Sequence, residues 1–246
     1  MRKCLIIIPA YNEERSIGQV VQGIQREGLD VDILVVNDGS TDRTAQIAAE
    51  QDAFVLSHPT NLGYGAAVQT GYKFASKAQY PYIIQFDGDG QHDPSTLRLM
   101  MDAIERSDSD IVIGSRFLTV SPIEMKVGPL KRSVARLFRS VILLLTGVHI
   151  TDTTSGLRAV RYPVYAYYAV RNRFPREYPD ADFLIKMLYR NYKIMEVQAN
   201  MKDRAFGKSV QHGGIKPVIY MVRMLLNIFV ILLQHKLLPA RVKNNV

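Results

Sequence analysis

The stretch Tyr82-Ile83-Ile84-Gln85-Phe86-Asp87-Gly88-Asp89-Gly90-Gln91-His92-Asp93 decides how this chain is organised. Its first five residues are mostly apolar and predict a buried strand. Three acidic residues with glycines between them follow where the strand ends, which is the edge where ligands bind in open α/β sheets. Carboxylate oxygens suit a hard cation such as Mg²⁺ or Mn²⁺. The stretch therefore predicts a metal and diphosphate site, or else an ordinary acidic surface turn.

Strands and helices alternate along the first half of the chain. Apolar runs predict strands at 4–9, 31–36, 54–57, 82–86 and 111–114, and helices are predicted between them. Asn12 is expected to cap the first helix. Short connections between alternating elements predict an α/β fold with a doubly wound, mainly parallel sheet. In the second half we expect helices at 130–145, 182–190 and 216–236 and strands at 154–160 and 194–199.

The ends of parallel strands meet at one edge of a sheet, so three loops should form a common rim. These loops are 11–13, 38–40 and 87–93, and each carries polar groups suited to a nucleotide. A dinucleotide fingerprint is not expected, because Gly63 and Gly65 lack the third glycine and do not belong to the first strand–helix unit. The sequence contains no P-loop lysine motif either.

Composition limits the class of protein. A length of 246 residues with 47% hydrophobic residues fits one large α/β domain, or one domain with appendages. The single cysteine, Cys4, excludes a disulfide framework and suggests a reducing compartment. We expect no secretory signal, because the apolar run at 4–9 is too short for one.

Charge is distributed unevenly along the chain. Residues 1–115 carry a net charge of −7, residues 116–200 carry +8 and residues 201–246 carry +7. An acidic first half suits a metal site, and a basic second half suits an anionic partner such as a lipid phosphate or an anionic membrane surface. We expect no nucleic-acid partner, because no motif supports one.

Four motifs in order carry a family resemblance. They are Pro9-Ala10-Tyr11-Asn12-Glu13, Val36-Asn37-Asp38-Gly39-Ser40-Thr41-Asp42, Asn61-Leu62-Gly63-Tyr64-Gly65-Ala66 and Asp87-Gly88-Asp89-Gly90-Gln91-His92. The set resembles family 2 glycosyltransferases, and most closely the dolichol- and polyprenyl-phosphate sugar synthase branch, over about residues 3–209. The resemblance implies a GT-A catalytic domain at 1–214, with a nucleotide and metal half at 1–115 and an acceptor half at 116–214. Residues 215–246 would form a membrane-associating or oligomerising helix and a basic tail.

The resemblance also implies a donor site. The donor-binding positions would be Pro9, Tyr11, Glu13, Asp38, Gly63 and Asp87. Asp38 would hydrogen-bond the base, and Asp87 would contact the ribose or the metal. Asp87, Asp89 and Gln91 would hold the Mg²⁺ or Mn²⁺ that bridges the diphosphate. Tyr11 and Glu13 could instead serve only to enter and cap a helix.

On the acceptor side, the resemblance implies phosphate contacts from Arg116, Arg158, Arg204 and Lys208. Surface arginines or a flexible basic loop are the simpler explanations. Asp89, Asp180 and Asp182 are the candidate catalytic residues, with Asp180 or Asp182 as general base if the acceptor is a hydroxyl. A phosphate acceptor needs no base, and acids at a helix start are also ordinary partners of the helix dipole.

The apolar segment 217–233 is 17 residues long, at the lower limit for spanning a bilayer. Polar residues fall on one stripe of it, namely Lys216, Tyr220, Arg223, Asn227 and Gln234. This pattern favours an amphipathic helix lying on the cytoplasmic face of a membrane, as in a peripheral protein. Packing into the core and contact within a homo-oligomer remain alternatives.

Together these features predict a metal-dependent, inverting transferase. It would move a hexose from a UDP- or GDP-sugar to a polyprenyl phosphate or polyprenyl-linked glycan in cell-envelope glycan synthesis. One alternative is a soluble or protein-linked hydroxyl acceptor. Another is a non-catalytic subunit that binds a nucleotide sugar within a membrane complex. The sequence identifies neither the base nor the sugar.

Overall fold

A computed structural model describes residues 3–118, 129–171, 173–175, 179–201 and 216–237, which form seven strands and eight helices. The strands are β1 Cys4–Ala10, β2 Val31–Asn37, β3 Phe54–Ser57, β4 Tyr82–Gln85, β5 Ile111–Ser115, β6 Arg158–Arg161 and β7 Ile194–Gln198. The helices are α1 Ile17–Arg26, α2 Thr44–Ala49, α3 Tyr64–Ala78, α4 Thr96–Arg106, α5 Pro129–Thr146, α6 Tyr162–Ala169, α7 Ala181–Tyr189 and α8 Lys216–Leu237.

The seven strands form one sheet in the order β3-β2-β1-β4-β6-β5-β7. All neighbouring strands pair in parallel except β6, which is antiparallel to both β4 and β5. The doubly wound, mainly parallel sheet is therefore confirmed. All seven residues of β1 are buried, as its unbroken apolar run requires of a central strand covered on both faces.

Two apolar layers cover the sheet. One contains the buried face of α1, formed by Ile17, Val20, Val21 and Ile24, together with side chains of α2 and α4. The other contains side chains of α3, α5, α6, α7 and α8. Covering both faces leaves the ends of the strands as the accessible edge, and the parallel strands send their following loops to the same side.

Helix α8 lies partly on the domain. Met224 and Ile228 are each 4% exposed and belong to the same apolar core as α7. Its opposite side exposes six large apolar side chains, which are Val222, Leu225, Leu226, Phe229, Val230 and Leu233. Core packing and an exposed apolar face are thus both present in one helix. Among the helices that the structure describes, none is long and apolar enough to cross a membrane.

Candidate active site

The loops that follow β1 and β2 are joined by backbone and side-chain hydrogen bonds. The Asn12 amide donates to Ser40 Oγ at 3.0 Å, and the Thr41 amide donates to Asn12 Oδ1 at 2.9 Å. Asn12 has a φ of 54°, a conformation that asparagine tolerates better than most residues. The prediction that Asn12 caps α1 is wrong, since its side chain serves the neighbouring loop and α1 begins at Ile17.

Asp38 is buried beneath this rim and its carboxylate is fully engaged. Asp38 Oδ1 accepts from the Leu62 amide at 2.9 Å and from His58 Nδ1 at 2.7 Å, and Oδ2 accepts from the Gly63 amide at 2.8 Å. The side chain is 4% exposed. The carboxylate therefore holds the 61–63 loop, and its expected contact with a base stays a prediction.

Glycine lets the loop that follows β2 approach the loop that precedes α3. A Cβ on Gly39 would lie 2.3 Å from the backbone carbon of Thr60, and the φ of Gly39 is +70°. Gly63, the expected donor-binding glycine, has a φ of 95° at the start of α3. Both positions therefore require glycine for conformational reasons.

The remaining donor-side positions differ in exposure. Tyr11 is 45% exposed beside the rim, so its ring is free to meet a ligand. Pro9 is buried within β1, beyond the last residue that pairs with β4, where its missing N–H breaks no ladder bond. Glu13 Oε2 accepts from Ser16 Oγ at 2.9 Å, and its carbonyl accepts from the Ile17 amide. Glu13 thus contributes to helix entry, and its expected place in the nucleotide pocket stays a prediction.

Asp87 lies at the centre of the rim, directly after β4. Its Oδ1 accepts from the Tyr64 hydroxyl at 3.1 Å, and its Oδ2 lies 3.3 Å from His92 Nε2. Burial opposes ionisation of Asp87, but the hydrogen bond and charge of His92, the Tyr64 hydroxyl and the Arg116 charge bring its pKa below the ordinary value. Asp87 is therefore held ionised, as a cation ligand must be.

Asp89 and Gln91 continue the acidic turn. The Gln91 amide donates to Asp89 Oδ1 at 3.0 Å, and both side chains are partly exposed. With Asp87 they offer two carboxylates and one amide oxygen, a donor set suited to Mg²⁺ or Mn²⁺. Within the described part of the chain, no group of three or more His, Cys, Asp or Glu residues is placed to hold a metal. A cation here would thus share its shell with phosphate oxygens and water.

The acidic turn is also held against residues of the second half of the chain. The Asp93 amide donates to the Asn200 carbonyl at 3.2 Å, and the backbones of His92 and Met201 pair as an isolated antiparallel β-bridge. On the other side, a Cβ on Gly156 would lie 2.7 Å from Asp87 Oδ2, so this glycine lets the 152–157 loop rest against the carboxylate.

The guanidinium of Arg116 forms a bidentate ion pair with Asp152. Its Nε and Nη2 donate to the two oxygens of Asp152 at 2.6 and 2.7 Å, and Nη2 also donates to Thr154 Oγ1 at 2.7 Å. Burial would lower the pKa of Arg116, but Asp152 and the charges of Asp180 and Asp87 raise it. The expected phosphate contact is therefore limited to the part of the guanidinium that Asp152 leaves open.

Arg158 is not a surface arginine. It is 1% exposed on β6, it donates through Nη1 to the Pro179 carbonyl, and its guanidinium lies 5.0 Å from the Phe183 ring centroid. Its Nε and Nη2 have no hydrogen-bond partner in the described residues, and Nη2 is 4.0 Å from Asp180 Oδ1. A buried cation with two free donors is suited to an anion that enters the site.

Asp180 and Asp182 differ in surroundings. Asp180 immediately precedes α7, is 7% exposed and faces Arg158. Asp182 is 4% exposed, and its oxygens accept from the Phe183 amide and, at 3.1 Å, from Asn227 Nδ2 on α8. Burial raises the pKa of Asp182. Asp180 therefore lies beside a buried cation, whereas Asp182 is held by α7 and α8.

The structure thus brings together one part of the expected site. Asp87, Arg116, Arg158 and Asp180 interact electrostatically across the rim. Arg204 and Lys208 lie outside the described residues. Sequence reasoning missed Tyr64 and His92 as partners of Asp87, and Asp152 as the partner of Arg116. The positions of Tyr64 and His92 inside the quoted motifs were the available signal for these two residues.

Comparison with known proteins gives the same family that the four sequence motifs resemble. The family model described as Glycosyl transferase family 2 matches residues 5–168. A UDP-N-acetylglucosamine–dolichyl-phosphate N-acetylglucosaminyltransferase of Methanococcus voltae is 36% identical, over 63% of this chain and 67% of that protein. A polyprenol monophosphomannose synthase of Mycolicibacterium smegmatis is 29% identical, over 87% of this chain and 82% of that protein.

Among solved structures, the fold matches glucosyl-3-phosphoglycerate synthase of Mycobacterium tuberculosis. The crystal structure of that protein with Mn²⁺, UDP and glucosyl-3-phosphoglycerate has a TM-score of 0.63. The match covers 95% of this chain and 79% of that chain at 18% identity. At this identity the likeness supports the GT-A-like architecture alone.

Proposed function

Because this chain belongs to glycosyl transferase family 2, we propose that it transfers a hexose from a UDP- or GDP-sugar to a polyprenyl phosphate. The observation that carries the proposal is the convergence of ionised Asp87 with Arg116, Arg158 and Asp180 at one sheet edge. The names of the two relatives that act on lipid phosphates support the acceptor class. A role in cell-envelope glycan synthesis is part of the same proposal.

On the donor side, the rim supplies a surface for the nucleoside diphosphate. Tyr11 is exposed beside the loops that follow β1 and β2, while Asp38 acts indirectly by holding the 61–63 loop. Asp87, Asp89 and Gln91 would hold Mg²⁺ or Mn²⁺, which when bound stabilises negative charge on the leaving diphosphate. His92 and Tyr64 keep the Asp87 carboxylate oriented and ionised.

On the acceptor side, a phosphate oxygen attacks the anomeric carbon from the face opposite the leaving group. The bond from that oxygen to carbon forms, the bond from carbon to the diphosphate oxygen breaks, and its electron pair leaves with the diphosphate. The configuration at the carbon therefore inverts. Arg158 contributes two donors that have no partner among the described residues and that suit the acceptor phosphate, and Arg116 adds positive charge nearby.

Donor binding is tested by thermal unfolding with UDP, GDP and their sugars, with Mn²⁺ or with EDTA. A ligand at about 100 times its Kd stabilises the fold by about 2.7 kcal/mol. For a chain of this size that raises Tm by roughly 5–10 °C. We expect the nucleotides of one base, either uracil or guanine, to raise Tm by this amount with Mn²⁺ and by a smaller amount with EDTA. If no nucleotide raises Tm, the donor site is wrong. If one does but no sugar is transferred, the non-catalytic subunit is favoured.

The contribution of Asp180 to the rate of transfer depends on whether the acceptor is a phosphate or a hydroxyl. With a phosphate acceptor no proton is removed, so Asp180→Asn should lower turnover by less than about tenfold. With a hydroxyl acceptor the same change should cost the roughly 10²–10⁴-fold typical of a general base. Steady-state rates of Asp180→Asn and Asp182→Asn decide between them. A large loss at Asp180 would favour the soluble or protein-linked hydroxyl acceptor, and a large loss at Asp182 alone would move the base there.

We further propose that α8 rests on the cytoplasmic face of the membrane, where a lipid phosphate is accessible. Its exposed apolar face supports this placement. Three residues of the expected polar stripe, Arg223, Asn227 and Gln234, are exposed, and Asn227 also donates to the buried Asp182. Because Met224 and Ile228 are buried, removing α8 would uncover α7. Surface substitutions therefore test membrane binding more cleanly than truncation.

The double variant Leu226→Asp/Phe229→Asp should bind vesicles at least tenfold more weakly than wild type. Both side chains are more than half exposed, and fully burying such groups is worth about 1.5–3 kcal/mol each. Folding stability should change little for the same reason. Vesicle flotation measures the binding, with Leu99→Asp on α4 as the exposed control. Unchanged flotation, combined with conversion of a wild-type dimer to a monomer in light scattering, would assign the face to a homo-oligomer.

A further inference from the structure

Three cations surround one tyrosine on the flank formed by α6 and α7. The guanidinium carbons of Arg190 and Arg173 lie 4.1 and 4.7 Å from the Tyr167 ring centroid, and Lys186 Nζ lies 5.5 Å from it. We call Tyr167, Arg173, Lys186 and Arg190 the Tyr167 cluster. Each contact is a favourable cation–π interaction, but the three like charges also repel one another across the ring.

No acid neutralises these charges within the residues that the structure describes. None of the three cations forms an ion pair there, and Arg190 Nε is buried without a hydrogen-bond partner. Arg116 and Arg161 differ, since Asp152 binds the first and backbone carbonyls accept from the second. The Tyr167 cluster thus has charge and donors available for an external anion, and arginine forks match phosphate oxygens.

The cluster extends along α7 away from the transfer site. Asp182 lies in the first turn of α7, Lys186 lies one turn further along, and Arg190 follows the last helical residue. At 1.5 Å per residue, Lys186 lies roughly 6 Å and Arg190 roughly 12 Å along the axis from Asp182. Arg190 is therefore the member of the cluster that is remote from the acceptor carboxylates.

The same helix links the cluster to the exposed apolar face of α8. Tyr189 of α7 stacks on His235 of α8, with ring centroids 4.2 Å apart and planes within 9°. Lys186 and Arg190 lie close in sequence to Tyr189, the residue that contacts α8. A helix face that enters the acyl region beside a set of cations at its flank is the arrangement that anionic lipid surfaces attract.

We propose that the Tyr167 cluster binds the phosphate of an anionic phospholipid headgroup and so orients the protein on the membrane. The inference rests on the membrane placement of α8 proposed above. It adds a second contact, which is electrostatic and separate from both the apolar face and the acceptor phosphate site.

The test compares the triple variant Arg173→Gln/Lys186→Gln/Arg190→Gln with wild type on phosphatidylglycerol-containing and pure phosphatidylcholine vesicles. At about fivefold per basic residue, binding to the anionic vesicles should fall roughly a hundredfold. Binding to the neutral vesicles should be unchanged, and the salt dependence should become shallower. The matched control is Arg26→Gln/Arg98→Gln/Arg106→Gln, which removes three exposed cations from α1 and α4 on the opposite face of the sheet.

Equal losses in the two triple variants would overturn the proposal, because only net charge would then matter. If inorganic phosphate raises the Tm of wild type but not of the cluster variant, while vesicle binding is equal, the cluster takes free phosphate and the lipid assignment is wrong. If the wild-type protein binds neither kind of vesicle and so does not float, the membrane placement of α8 fails together with this inference. If it floats and the cluster variant floats equally, this inference alone fails. Should the triple variant not fold, Arg173→Gln alone should still lower anionic-vesicle binding about fivefold.

Discussion

Asp89→Asn should lower sugar transfer by about 10³-fold while the fold remains intact. The change removes the charge of a carboxylate expected to hold the divalent cation, whose stabilisation of the leaving diphosphate is worth several kcal/mol. The asparagine carbonyl can still accept from the Gln91 amide, which Asp89 Oδ1 does at 3.0 Å. Turnover measured against Mn²⁺ concentration, together with Tm, tests the prediction.

Asp93→Asn is the matched control for this experiment. Asp93 lies in the same turn and accepts from the Ser95 amide at 3.1 Å, but it is not among the expected metal ligands. Its variant should keep activity within a fewfold of wild type. Normal activity of Asp89→Asn, or full wild-type activity in EDTA, would remove the metal from the mechanism.

Asp38→Ala should destabilise the fold by about 3–5 kcal/mol. The variant leaves the Leu62 amide, the Gly63 amide and His58 without their acceptor. Each unsatisfied group costs about 1–3 kcal/mol, less where water can reach it. Nucleotide affinity should fall as well, because the 61–63 loop loses its anchor. Denaturant unfolding and calorimetric titration with the selected nucleotide measure the two effects.

Asp102→Ala serves as the control for Asp38, since Asp102 is 51% exposed and makes only a surface ion pair with Arg106. Its change in stability should stay within about 0.5 kcal/mol. Should Asp38→Ala lose nucleotide affinity yet unfold like wild type, Asp38 contacts the base directly, and the buried-anchor role assigned to it is wrong.

The parallel part of the fold was predictable because each of its strands is an apolar run followed by a polar loop. The same pattern places loops 11–13, 38–40 and 87–93 at one edge without knowledge of the side-chain contacts. Strand β6 shows the limit of this reasoning. Its sequence pattern does not encode direction, and the structure places it antiparallel between β4 and β5.

Partners distant in sequence were not predictable. Asp38 bonds residues 20 to 25 positions further along the chain, and nothing in its motif distinguishes a ligand contact from an internal anchor. Arg158 was expected at the surface or at a phosphate, because arginine is rarely fully buried. Its burial follows from the position of α7, which places Phe183 over the guanidinium and Asp180 near it.

The central claim is transfer of a sugar to a lipid phosphate, and one product assay tests it most directly. The full chain is incubated with Mn²⁺, a labelled form of the sugar nucleotide selected by thermal unfolding, and either a polyprenyl phosphate or the matching polyprenol. We predict that label enters the phosphate-bearing lipid with inverted anomeric configuration, with one nucleoside diphosphate released per sugar, and that the polyprenol stays unlabelled. Label in the polyprenol, retained configuration, or release of free sugar alone would contradict the account.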